Sequence, residues 1–249
     1  MKTLLYGAVV LLLYASSTAQ TAASPAGGFQ AFTVSADPSA QELTSLFTET
    51  GEGLHDPFMV LRKIGSMGDA VVPALQTFLF NTPILRVGVL DPDGKTVDSV
   101  NAPAPNKQYG IMALDLIGTP LAYQALATVA QSDSDAQVRG MAVRSLAIGY
   151  FYRAKQDSLV PDKAVVGILL QNLDDTTYVN ECGRTIAQIA RRGLINWTGT
   201  DYGEAPPDSV RVQERQRLDM TITQYRQQWF KNNSAKIVWD PSTDHFVVK

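Results

Sequence analysis

One cysteine and two histidines are all that this 249-residue chain holds of the strongest metal-binding side chains. A single Cys allows no internal disulfide, so a disulfide-stapled fold is excluded. One Cys with two well-separated His cannot build a Cys/His zinc site, and no metal or cofactor is expected. The H-E-x-x-H, G-x-S-x-G and phosphate-loop patterns are missing, so no residue is assigned a catalytic role. Positive charge is also in short supply. Twenty-four acidic residues outnumber 21 basic ones, for a net charge of −3, which argues against nucleic-acid binding. Glycine (18) and proline (13) are at ordinary levels, which excludes a collagen-like or mainly disordered chain.

The one long apolar run is at the start. Lys2 is followed by the run Leu4 to Tyr14, then by Ser17-Thr18-Ala19 before Gln20. That order reads as a secretory signal peptide over 1–19. The run falls short of the roughly 20 apolar residues that a spanning helix needs. The expectation is a secreted or periplasmic protein with no integral membrane segment after signal cleavage. Residues 20–39 are rich in Ala, Ser, Thr, Gly and Pro and read as a flexible leader.

From there the apolar residues recur at helical spacing, in short segments opened by Asp or Pro and often closed by Gly. Asp56-Pro57 opens a helix with Leu61 and Ile64. Asp69 precedes Val71, Val72, Leu75 and Leu79. Tyr109, Met112, Ala113, Leu116 and Ile117 make one face, ended by Gly118. Pro120 opens another, with Leu121, Leu126 and Val129. Asp135 leads into Val138, Ala142 and Leu146. Pro161-Asp162 leads into Val165, Val166, Leu169 and Leu170, and Asp175 into Tyr178, Cys182, Ile186 and Ile189. The short connections predict antiparallel hairpins. No single hairpin could bury both faces, but stacked hairpins can, which predicts an all-α, right-handed α-solenoid.

The stretch from Asp135 to Gly149 (DAQVRGMAVRSLAIG) resembles the D-x-x-V-R-x-x-A-x-x-x-L core of a HEAT repeat. Met67 to Leu75 and Ile117 to Leu126 are similar to that family's short loop and first helix. The resemblance covers roughly 56–192, and outside the Asp135 repeat the matches are degenerate. It implies a solenoid that serves as a protein-binding scaffold. The repeat domain is expected over 40–192, with an insertion at 81–106. Within the insertion, Ile84 to Leu90 and Lys95 to Val100 flank Asp91-Pro-Asp-Gly94 and predict a β-hairpin. Residues 193–249 are expected to hold a C-terminal capping helix with Leu218, Ile222, Tyr225 and Trp229 on one face. A short strand pair is expected around Asp240 to Asp244.

Little is left for chemistry. Cys182 is expected on the apolar face of its helix, as a small core residue. Glu52, His55 and Asp56 could meet Asp244 and His245 only if the ends of the solenoid met. Asn196-Trp-Thr198 and Asn232-Asn-Ser234 match the glycosylation sequon. The second helices of HEAT hairpins usually line the concave face, which here would present Arg139, Arg144, Asn180, Arg184, Gln188 and Arg191 as binding residues. Arg suits carboxylates, so the expected partner is a protein, an acidic one. The sequence thus predicts an exported, non-enzymatic scaffold. A HEAT-like enzyme or enzyme subunit of lyase-like kind, and a structural cell-envelope component, are the alternatives.

Overall fold

Helix starts in this chain are set by side chains that cap the first free backbone N–H groups. In the computed structural model, Ser39 accepts from the Glu42 N–H at 3.1 Å and opens α1 (Ala40–Gly51). Asp56 accepts from the Phe58 N–H at 2.8 Å and opens α2 (Pro57–Gly65), with Pro57 in the first turn. A 3₁₀ turn (Gly68–Val71) leads into α3 (Val72–Asn81). Thr119 accepts from the Ala122 N–H at 3.3 Å and opens α5 (Pro120–Ser132), which follows α4 (Pro105–Ile117). The structure describes residues 29–81, 89–90, 96–97, 105–157, 159–179, 182–199 and 222–249. The signal peptide, most of the leader, most of the 81–106 insertion and the first half of the expected capping helix lie outside the described residues. Of the insertion, Val89–Leu90 (β1) pairs antiparallel with Thr96–Val97 (β2).

The described residues are mostly helical, and they divide into two compact units, 1–142 with 179–183, and 143–178 with 184–249. In the first unit, α4 packs against α1, α2, α3 and α5. Ile111, Ala113 and Leu114 of α4 are fully buried, together with Leu43, Phe47, Leu61, Ile64, Leu75 and Phe78. Gly110 lets α3 come close: a Cβ there would stand 2.7 Å from the Phe78 ring. One expected core residue turns outward. Leu121 is 42% exposed, and Ala122, Tyr123, Ala125, Leu126 and Val129 form the buried face of α5 instead.

The division falls inside α6 (Ala136–Arg144), which runs on through a π turn (Ser145–Gly149) into α7 (Tyr150–Asp157). The second unit continues with α8 (Ala164–Gln171), α9 (Ile186–Thr198) and α10 (Ile222–Asn233). It ends in an antiparallel hairpin of β5 (Ile237–Asp240) and β6 (His245–Val248), registered by Trp239 opposite Phe246. The boundary expected at 192 cuts through α9.

A π turn leaves carbonyls without their usual i+4 donors. Here α9 supplies the donors. Trp197 Nε1–H donates to the Leu146 carbonyl at 2.9 Å, and Asn196 Nδ2 donates to the Ala147 carbonyl at 3.0 Å. Gly193 makes the approach possible, since a Cβ there would stand 2.6 Å from Ala147 Cβ and 3.0 Å from its Cα. Both are rigid atoms, so Gly193→Ala must push α9 off the π turn. A cost of about 2 kcal/mol is expected, read as a lowered denaturation midpoint at unchanged helix content.

Candidate functional site

The expected binding residues fall into different settings. Arg139 lies in the first unit, half-buried, and its Nη1 donates to the carbonyls of Asp133 (2.9 Å) and Ser134 (3.3 Å). It closes the loop between α5 and α6. Arg144 is half-buried at the end of α6, in the second unit. Asn180 lies outside the described residues. Arg184, Gln188 and Arg191 are all exposed in the second unit. Four of the six, Arg144, Arg184, Gln188 and Arg191, thus lie on the second unit, the last three of them exposed.

Their local structure differs from the expected helix running through Tyr178, Cys182 and Ile186. Tyr178–Val179 (β3) and Arg184–Thr185 (β4) form a two-stranded sheet, and α9 starts only at Ile186. Three local features enforce this. Asp175 Oδ1 accepts from the Thr177 N–H at 3.0 Å, which turns the chain before β3. Gly183 takes a φ of 60°, outside the helical range. Thr185 and Gln188 then form a capping box: Thr185 Oγ1 accepts from the Gln188 N–H at 3.2 Å, and Gln188 Oε1 accepts from the Thr185 N–H at 3.0 Å. The T-x-x-Q spacing is visible in the sequence and marks the true helix start. Gln188 thus works as a capping residue. Cys182 sits half-buried in the turn between the two strands, not in a helical core.

The rest of the outward face of α9 was not anticipated. Arg192 and Ile195 are exposed beside Gln188 and Arg191, at spacings of three and four. Ile186, Ile189, Ala190, Gly193, Leu194 and Trp197 make the buried face. α9 contains no acidic residue.

The ionisable groups elsewhere are engaged in holding the fold. His55 is 4% exposed. Its Nε2 lies 2.8 Å from Glu49 Oε2 and its Nδ1 lies 3.2 Å from the Gln30 carbonyl. It ties the segment before α1 to the loop before α2. Lys107 Nζ pairs with Asp133 Oδ2 at 3.3 Å, and both side chains are almost fully buried. Among the described residues, no group of three or more His, Cys, Asp or Glu could hold a metal ion. No helix among them is long and apolar enough to cross a membrane. The first sequon is built into α9: Asn196 bonds to Ala147, and the buried Thr198 donates to the Leu194 carbonyl at 2.7 Å. Asn232 of the second is exposed.

Two half-buried carboxylates are held below their usual range. Glu42 accepts from the Ser35 N–H at 2.7 Å and from the Ser35 hydroxyl at 2.8 Å, with the backbone bond the larger cause. Asp240 is lowered by the Ser242 hydroxyl and N–H. A lowered folded-state value means that the stability Glu42 contributes is present above the ordinary carboxylate range. It is lost as the pH falls through the lowered value. Glu42→Gln is therefore expected to destabilise the chain at neutral pH. The difference from wild type should shrink below about pH 4, as followed by denaturation across a pH series.

Comparison with known proteins finds no match among family models, curated proteins or solved structures.

Proposed function

We propose that the chain is an exported, non-enzymatic scaffold of stacked HEAT-like hairpins, a right-handed α-solenoid, that binds a protein partner. The observation that carries this reading is the division of work among the polar side chains. Arg139, Asn196, His55, and Lys107 with Asp133, all buried or half-buried, are bonded into loops and helix ends. Outward, α9 presents a short row of exposed Arg, Arg191 and Arg192, with Arg184 just before it. Such a row suits recognition of another protein. Helix packing lends support. In the first unit α3 packs on α4 and α4 on α5, one place along the chain, and α1 on α3, α2 on α4 and α3 on α5, two places along; α1 also packs on α4, three places along. The one- and two-place contacts are those of stacked hairpins, while the α1–α4 contact is more like that of a helix bundle. The export part rests on Lys2, the run Leu4 to Tyr14 and Ser17-Thr18-Ala19.

Crosslinking in the native compartment, followed by identification of the adduct, is the test. One dominant protein partner is expected. Envelope retention after salt washing with no partner captured would count against the scaffold reading.

A further inference from the structure

The outward face of α9 narrows the kind of partner. From Gln188 to Ile195 is about 10 Å along the helix, a length that three or four extended residues cover. Arg191 and Arg192 stand in the middle of this stripe, Arg184 lies just before its N-terminal end and Ile195 closes the other end. Tyr178, on the strand paired with Arg184–Thr185, is 54% exposed. Glu181, three residues before Arg184, is the nearest acidic residue in the sequence before the stripe; Asp174 and Asp175 come next, and Asp175 Oδ1 is engaged by the Thr177 N–H. Among the described residues, no carboxylate lies within ion-pair distance of Arg184 or Arg192.

Guanidinium groups are weakly hydrated and meet carboxylates with two parallel hydrogen bonds. Arg and Tyr are also the side chains that most often carry binding energy at interfaces. On a chain with a net charge of −3, the stretch from Arg184 to Arg192 carries three Arg and no acidic residue. Exposed positive charge of this kind favours an acidic partner at this face. We propose that the outward face of α9 docks an acidic peptide segment of a partner protein. Its carboxylates lie against Arg184, Arg191 and Arg192, and an apolar side chain lies against Ile195. The inference rests on the scaffold reading and sharpens it. Arg139 leaves the contact set because the α5–α6 loop uses it, while Arg192 and Ile195 join.

The test uses the full chain and fluorescence anisotropy with a short synthetic peptide of Glu interrupted by Leu. A peptide with Lys in place of Glu, a single-stranded oligonucleotide and anionic phospholipid vesicles are the competing probes. The acidic peptide is expected to bind, more weakly as salt rises. Arg184→Glu/Arg191→Glu/Arg192→Glu should weaken it by about tenfold or more. All three side chains are exposed; circular dichroism of the triple variant checks that the fold persists, and Arg192→Glu alone gives a milder check. Unchanged peptide affinity in the triple variant would overturn the proposal. So would no binding of the acidic peptide, or tighter binding of the oligonucleotide or vesicle. If crosslinking in the native compartment captures the same partner with wild type and triple variant, the α9 assignment fails and the scaffold reading stands. If wild type captures none, the scaffold reading itself fails.

Discussion

Trp197→Ala is expected to lower the stability of the second unit by about 4 kcal/mol, the largest single effect foreseen in this chain. The indole is fully buried. Tyr150, Phe151, Trp239 and Phe246 surround it, with ring centroids 5.1 Å, 5.2 Å, 6.0 Å and 5.9 Å away. Truncation would leave a cavity where α7, α9 and the β5–β6 hairpin meet. It would also take the indole donor from the Leu146 carbonyl in the π turn. The two losses can be separated. Trp197→Phe keeps a ring in the cluster while removing the N–H and part of the indole volume, so a smaller cost of about 1–2 kcal/mol is expected. Chemical denaturation followed by circular dichroism measures both. Equal costs for the two variants would mean that the cavity contributes nothing, contrary to the packing described.

The second large effect is at Lys107. Its ammonium and the Asp133 carboxylate are 4% and 1% exposed, so each charge depends on the other. Lys107→Met strands a carboxylate in the interior, at an expected cost of about 3–5 kcal/mol. Asp133 has further duties. Its Oδ1 accepts from the Asp135 N–H at 2.9 Å, and its backbone N–H bonds the Val129 carbonyl at the end of α5. Lys107→Met/Asp133→Asn removes the stranded charge and keeps an oxygen for Asp135. Much of the lost stability should therefore return in the double variant. A double variant as unstable as Lys107→Met would place the cost in lost Lys107 packing and not in the buried charge.

Much of the helical layout is legible in the sequence because it is written in local signals. Asp56-Pro57 is a cap with proline in the first turn, and α2 starts there. The apolar steps Val138, Ala142 and Leu146 are buried as their spacing predicts. The strands β5 and β6 flank Asp240 to Asp244, where a turn is written in Asp, Pro and Ser. What the sequence hides depends on distant partners or on competing local signals. Tyr178, Cys182 and Ile186 have helical spacing, but the turn at Asp175, the φ of Gly183 and the Thr185–Gln188 capping box override it. The π turn is set by donors from α9, about 50 residues later in the chain. The Lys107–Asp133 pair joins two helix ends across 26 residues. In the candidate site, Arg184 and Arg191 were legible as exposed basic residues. Arg192 and Ile195 were missed because the true start of α9, and hence its outward face, was not.

The most direct test of the binding account is site-resolved photocrosslinking in the native compartment. A photoreactive residue is placed in turn at Arg192 on α9 and at the exposed positions Lys63 on α2 and Gln124 on α5. The account predicts one discrete protein adduct from position 192, absent when Arg184 and Arg191 are changed to Glu, and little from the other two positions. Equal labelling from all three positions, or no adduct from 192, would contradict it.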